Sequence, residues 1–233
     1  MSDSKNHVQR LRRLDACAVS DALDKLGLPG VVTHLPLRST GPGGASRIAG
    51  RAVTMKVGPG QPPPGPPKHL GCTAIEQSGS DEVIVVEQRS GVEAGCWGGL
   101  LTLGAKVRGV AGVIADGPLR DVDEAIAYEF PVFSRSLTSR TARGRVVELG
   151  TQVPVTIGAG SGPGLGGEVV VHPGDYVLAD RSAVIFIAAA HIEQVLDAAE
   201  TIVAKEAAMA KAILTGTPIG EVMGGNYEHM LEK

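Results

Sequence analysis

Arg120 and Asp121 stand side by side near the end of a segment that runs from Gly98 to Glu124. Together they suit carbanion chemistry. A guanidinium keeps its proton and can lie against an enolate oxygen throughout a reaction, while a carboxylate can hold a hard divalent cation. The pair also has a plainer reading, an ion pair or cap at a helix start, and the residues alone do not separate the two. Upstream, Gly95-Cys-Trp-Gly-Gly99 is expected to open a helix. There, unpaired N–H groups and the positive end of the peptide dipoles favour an anion such as a carboxylate. Asp116-Gly-Pro-Leu-Arg-Asp121 is expected to be a second loop, following a strand and opening the next helix. In a parallel α/β sheet both loops lie at the carboxyl ends of strands, the usual side for a ligand. Asp116, Asp123 and Glu124 nearby read as a surface acidic cluster.

The elements that must position these residues follow from periodicity. Leu11, Leu14, Ala18, Ala22 and Leu26 recur at helical spacing, Ser20 and Asp21 offer cap chemistry, and Gly27 supplies a stop, so one or two helices occupy about residues 6–27. Ile48 to Val57 alternates as a strand does, and the proline-rich stretch Gly58 to Pro67 is a loop. A short helix from His69 to Gln77 leads to Asp81–Val86, an apolar run that suits a strand buried on both faces. Trp97–Arg108 is a helix stopped by Gly109, Val110–Ala115 a strand, Asp121–Tyr128 a helix and Pro131–Phe133 a short strand. This β-α-β-α-β order predicts parallel strands. Strands at Val153–Ile157, Glu168–Val171, Tyr176–Ala179 and Val184–Ile187 then precede a long helix from Ile192 to Leu214. The expected fold class is α/β, a layered sandwich with a parallel-strand core, an added β-rich portion and a C-terminal helix over about 190–215.

Composition bounds the partners. The 233 residues suit one domain, and 22 Lys and Arg against 25 Asp and Glu leave a net charge of −3, which argues against a nucleic-acid or anionic-membrane surface. Aromatic residues make up 3%, so the core is packed from aliphatic side chains and base-stacking platforms are not expected. Cys17, Cys72 and Cys96 form no CxxC pair, and no apolar run reaches the roughly 20 residues a bilayer needs, so a reduced cytoplasmic setting is expected.

At this level of detail the chain resembles the RraA-like family, which includes 4-hydroxy-4-methyl-2-oxoglutarate aldolases and oxaloacetate decarboxylases. The resemblance rests on Gly99, twenty intervening residues and then Arg120-Asp121, with Gly109, Gly112 and Asp116-Gly117 between. It is supported by Val19-Ser-Asp-Ala-Leu-Asp-Lys-Leu-Gly27, Ala49-Gly-Arg-Ala-Val-Thr54, and His172-Pro-Gly-Asp175 with Asp180. It implies a single RraA-like domain over 1–233 and a homotrimer, or a hexamer made of two trimers, with Mg²⁺ or Mn²⁺ in active sites between subunits. It further implies that Asp121 binds the metal and that Arg120 holds the keto oxygen and the pyruvate enolate. The substrate carboxylate would lie on Gly98, Gly99 and the amides of Leu100 and Leu101. A glutamate from the neighbouring subunit's last helix would reach the metal through water, with Glu206 the best match and Glu200 the reserve. Family aldolases commonly carry an acidic residue where this chain has Gly99, and the Gly158–Gly167 stretch and the proline loop also depart from the pattern.

Such a site would cleave the C3–C4 bond of a 2-oxo acid by retro-aldol reaction or by decarboxylation, since the two share an enolate and differ in the leaving fragment. The alternative function is a non-catalytic, protein-binding regulator of a ribonuclease, for which the Arg120–Asp121 pair is not needed. Gly162-Pro-Gly-Leu-Gly-Gly167 satisfies GxGxxG but precedes a strand-like run, which excludes a Rossmann reading. Cys96 is read as a small buried loop residue, since no base is placed for it.

Overall fold

The computed structural model of the chain describes residues 2–39, 44–66, 68–158 and 167–224. Its centre is four strands, β2 (Ile48–Gly58), β3 (Glu82–Glu87), β4 (Gly112–Leu119) and β5 (Val132–Leu137), each parallel to the next. Helices α3 (Cys72–Glu76), α4 (Gly99–Val107) and α5 (Val122–Ala127) connect them. Side chains alternate across a strand, so Ile84 and Val86 enter the core on one face of the sheet while Val83 and Val85 enter the core on the other. Burial on both faces is what the unbroken apolar run of β3 requires.

The expected β-rich addition extends this same sheet. β9 (Tyr176–Ala179) pairs antiparallel with the first residues of β2, β10 (Val184–Ile187) pairs with β9, and β1 (Val31–Val32) completes the edge. The later part of β2, from Met55 to Gly58, pairs with β6 (Val147–Thr151). With 11 residues, β2 outlasts each partner, and so one strand serves β3 on one side and two shorter strands in turn on the other. Gly50 lies where β2 passes the turn before β3, and a Cβ there would meet the Asp81 carbonyl oxygen at 2.8 Å, which only glycine avoids.

The helices occupy one face. α1 (Ser2–Leu11), α2 (Ala16–Leu26) and α6 (Ile192–Leu214) pack on Ala49, Leu178, Ile185 and Ile187, and the connecting helices pack on Val53, Met55, Ile84 and Val113. The opposite face is covered by the two-stranded ribbon of β7 (Val155–Ile157) and β8 (Val169–Val171), whose Val155, Ile157 and Val171 meet Ala52, Val85, Ile114 and Phe133.

The N-terminal helices differ from expectation in their cap. Asp15, extended at φ −110° and ψ 170°, accepts the Ala18 N–H at 2.9 Å, whereas Ser20 and Asp21 lie inside α2. The cap belongs to the residue whose backbone is not yet helical. Gly27 ends α2 in the left-handed region at φ 65°, as expected. Arg10 of α1 reaches Asp197 and Glu200 of α6 at 2.6 and 2.8 Å, an exposed clamp worth at most about 1 kcal/mol. No helix among the described residues is long and apolar enough to cross a membrane. The glycine-rich motif at 162–167 falls, except for Gly167, outside the described residues.

Candidate active site

The second of the two expected loops is shorter than its sequence suggests. β4 runs on to Leu119, leaving only Arg120 and Asp121 to turn into α5. The reason lies in residues 95–97, which run alongside the end of β4 beyond the point where β3 stops. Trp97 bridges Leu119 in parallel fashion, Cys96 N–H donates to the Pro118 carbonyl at 2.9 Å, and Arg120 N–H donates to the Trp97 carbonyl at 3.0 Å. Pro118, which has no N–H to give, falls where the pairing with β5 shifts register.

This arrangement presses a glycine loop against the charged pair. A Cβ on Gly95 would stand 3.0 Å from Arg120 Cγ and Cδ, and one on Gly98 would stand 3.0 Å from Arg120 Cγ and Asp121 Oδ2. Glycine at these positions lets the α4 backbone approach the Arg120–Asp121 turn. Asp121 occupies the N-cap position of α5 in the left-handed region, φ 58° and ψ 42°, but its side chain makes no cap bond to its own helix. Instead Oδ2 accepts the Gly99 N–H at 3.0 Å, so the carboxylate sits at the start of α4. Aspartate is among the few side chains that tolerate this backbone, at a cost on the order of 1 kcal/mol. Arg120 Nε lies 3.2 Å from Asp121 Oδ2, and among the described residues the two terminal guanidinium nitrogens have no partner. The ion pair expected on plain grounds therefore exists, and it faces a cavity.

That cavity has a volume of about 610 Å³, within the range of small-molecule sites. Gly98, Gly99, Leu100, Leu101, Arg120 and Asp121 all line it, joined by an apolar wall of Leu70, Ile75 and Trp97. Leu100 and Leu101 belong to the first turn of α4, where N–H groups have no partner within the helix, since intrahelical bonding starts with Thr102 N–H donating to Gly98 at 2.9 Å. Trp97 anchors that turn from below, its Nε1–H donating to Thr102 Oγ1 at 3.0 Å. Sequence reasoning missed His69, Cys72, Glu76 and Thr141, which also line it from α3, the residues before it and the segment after β5. Nothing in their type or spacing marks them.

The carboxylates divide by position. Asp116, expected at the surface, is fully buried on β4: it shares a face with Ile114 and pairs with Arg135. Burial holds its carboxyl above the usual range, against the pull of the Gly158 N–H and of Arg135. Asp123 is exposed, and Glu124 lies against Gly99. Neither Glu200 nor Glu206 lines the cavity of its own chain: Glu200 is engaged by Arg10, which holds its carboxyl below the ordinary value, and Glu206 is exposed on α6. No three His, Cys, Asp or Glu side chains converge on a metal-sized site among the described residues. The acidic groups at the start of α4 are those of Asp121 and Glu124. One or two carboxylates completed by substrate oxygens and water is how Mg²⁺ is usually held, so the donor set fits a hard divalent ion.

Cys96 is fully buried, and burial pushes its thiol up to about 12. With so little thiolate at neutral pH it has no nucleophilic role. A thiol reagent applied to the native protein is expected to modify exposed Cys17 promptly and Cys96 only after unfolding. Labelling of Cys96 as fast as Cys17, read by mass spectrometry of the peptides, would contradict this.

The model of the RraA-like family, described as Aldolase/RraA, matches residues 16–186. The chain belongs to the RraA-like family. Among curated relatives of this RraA-like chain, "Protein DlpA" of Legionella pneumophila is 26% identical over 92% of the chain, yet the match spans only 32% of DlpA. A Halalkalibacterium halodurans protein named "Putative 4-hydroxy-4-methyl-2-oxoglutarate aldolase" is 26% identical, over 88% of each chain. Among solved structures, an uncharacterised protein of Pseudomonas syringae pv. tomato superposes with a TM-score of 0.78 at 26% identity, covering 94% of this chain and 98% of that one. Streptomyces coelicolor RraAS2, described as an unusual member of the RNase ES inhibitor RraA family, shares the fold with a TM-score of 0.67 at 22% identity, over 84% of this chain and 91% of its own.

Proposed function

We propose that this RraA-like chain is a divalent-metal-dependent lyase that cleaves a carbon–carbon bond of a 2-oxo acid and releases pyruvate. The reaction is retro-aldol cleavage of 4-hydroxy-4-methyl-2-oxoglutarate-type substrates, decarboxylation of oxaloacetate, or both. The observation that carries this reading is the meeting in one cavity of the Arg120–Asp121 pair, whose two terminal guanidinium nitrogens have no partner among the described residues, and the first turn of α4, whose Leu100 and Leu101 amides have no partner within the helix. The substrate carboxylate accepts hydrogen bonds from the first-turn amides of Leu100 and Leu101. Arg120 directs its terminal nitrogens to the keto oxygen, where negative charge grows as the C3–C4 bond breaks and its electrons pass into the pyruvate enolate. The other fragment leaves as carbon dioxide or, once the 4-hydroxyl has lost its proton, as a carbonyl compound, and the enolate takes up a proton at C3 to become pyruvate.

Asp121 is the residue to hold Mg²⁺ or Mn²⁺, and when bound the ion supplies Lewis-acid polarisation of the chelating 2-oxo acid. Glu206 of a neighbouring copy is the outer partner; Glu200 is less suited, being held by Arg10 of its own chain. Assembly as a homotrimer or hexamer is supported by unpartnered apolar surface beside the cavity and on the last helix: Leu100 and Val107 on α4 are 84% and 79% exposed, and Leu214 on α6 is 87% exposed. We place the enzyme in the cytoplasm, acting on small acids, with neither nucleic acid nor membrane as partner.

The test is pyruvate release from oxaloacetate and from 4-hydroxy-4-methyl-2-oxoglutarate, with Mg²⁺ or Mn²⁺ and after EDTA. Release that exceeds the metal-only blank and disappears with the chelator is expected for at least one substrate. Release no faster than the blank for both would discard the lyase and favour the protein-binding ribonuclease regulator, a role that makes no use of the Arg120–Asp121 pair at a cavity.

A further inference from the structure

Gly99 carries no side chain, but its place is not vacant. A Cβ built on it would stand 1.8 Å from Glu124 Oε2, 2.7 Å from Glu124 Cδ and 3.2 Å from Asp121 Cβ. Gly99 is the first residue of α4 and its backbone is not left-handed, so conformation does not demand glycine there. Nor does the backbone wall it off: what fills the space is the tip of the exposed, flexible Glu124 side chain, and any larger residue at 99 would displace that carboxylate. Glu124 lies three residues after Asp121, across the first turn of α5, so both side chains lie on one side of that turn. Its carboxylate forms no hydrogen bond or ion pair among the described residues, while Arg120 is engaged with Asp121. Two neighbouring carboxylates with one guanidinium between them leave negative charge that a cation would relieve.

We propose that Glu124 is the second carboxylate of the site, holding the divalent ion with Asp121 from the position a side chain on residue 99 would otherwise take. Gly99 and Glu124 thus act as one acidic position, its side chain supplied by α5 in place of α4. The inference rests on the metal-dependent reading above, and its test separates the two. Mn²⁺ alone is titrated into the full-length protein without substrate, and free Mn²⁺ is read by electron paramagnetic resonance. Glu124→Gln, an exposed and nearly isosteric change, is expected to weaken Mn²⁺ binding by about tenfold to a hundredfold, the range for altered metal surroundings. Gly99→Ala is expected to do the same by displacing the carboxylate, and Gly99→Asp combined with Glu124→Ala is expected to restore binding. Gly99→Asp alone adds no affinity, since the space is already filled. Wild-type affinity in Glu124→Gln, alongside lost binding in Asp121→Asn, overturns the proposal and leaves the metal-dependent reading standing. Absence of Mn²⁺ binding by the wild-type protein overturns both.

Discussion

Arg120→Ala is expected to lower kcat/KM for the productive 2-oxo acid by about a hundredfold to a thousandfold, the cost of removing one preorganised donor to a developing oxyanion. The structure argues for so large a loss because the guanidinium is held from several directions. Gly95 and Gly98 pack on its methylenes, its backbone N–H donates to Trp97, and Nε faces Asp121, so the terminal nitrogens are presented to the cavity without further ordering. A group already in place stabilises charge at the moment of reaction without reorganising. Arg120→Lys keeps the charge and loses the planar fork, and an intermediate rate is expected from it. The fold should survive either change. The Arg120–Asp121 pair is a third exposed on each side, and such pairs contribute at most about 1 kcal/mol. Thermal melting and turnover measured on the same preparation decide the matter: a folded Arg120→Ala variant with more than a tenth of wild-type kcat/KM would remove Arg120 from the chemistry.

The parallel core was readable because β3 carries an unbroken β-branched run, Val83–Val86, and β4 opens on the apolar Val113-Ile-Ala115, with a helix between them that ends before Gly109, in the left-handed region at φ 75°. The Arg120–Asp121 turn was readable because the pair stands between the strand-like run that ends at Ala115 and the helical run that follows it. The expected helix from Trp97 begins at Gly99 instead, because Trp97 pairs with Leu119, a contact that periodicity does not encode. β6 was not readable either. Its residues are mostly half-buried, without clear alternation, and it is a strand because the later part of β2 has an edge to fill. Asp116 did carry a signal that went unused: Ile114 and Asp116 are two apart on one strand, so the face that buries one must bury the other.

The fate of Asp116 gives the largest expected effect on stability. Its side chain is fully buried; the Gly158 N–H donates to Oδ2 at 2.8 Å, Arg135 Nε donates to Oδ1, and Arg135 Nη2 lies against Oδ1 as well without hydrogen-bond alignment. Asp116→Ala strands the buried end of a guanidinium and an amide together, and loss of one partner of a buried pair costs about 3–5 kcal/mol. For a chain of this length, that corresponds to a fall in Tm of roughly 6–20 °C. Arg140→Ala, which breaks the Glu93 pair between side chains 57% and 64% exposed, should by contrast cost at most about 1 kcal/mol. Replacing both partners, Asp116→Leu with Arg135→Met, should recover much of the loss, because no buried charge is then left alone. Acidity offers an independent check. Burial raises the Asp116 carboxyl above its ordinary value of 3.8, so the folded chain takes up this proton at higher pH than the unfolded chain. Its contribution therefore grows as pH falls through the raised value towards 3.8, and the gap between wild type and Asp116→Ala should widen over that interval. A gap that narrows there would show that the fold holds Asp116 ionised, and an Asp116→Ala variant as stable as Arg140→Ala would show that the buried cluster contributes little to stability.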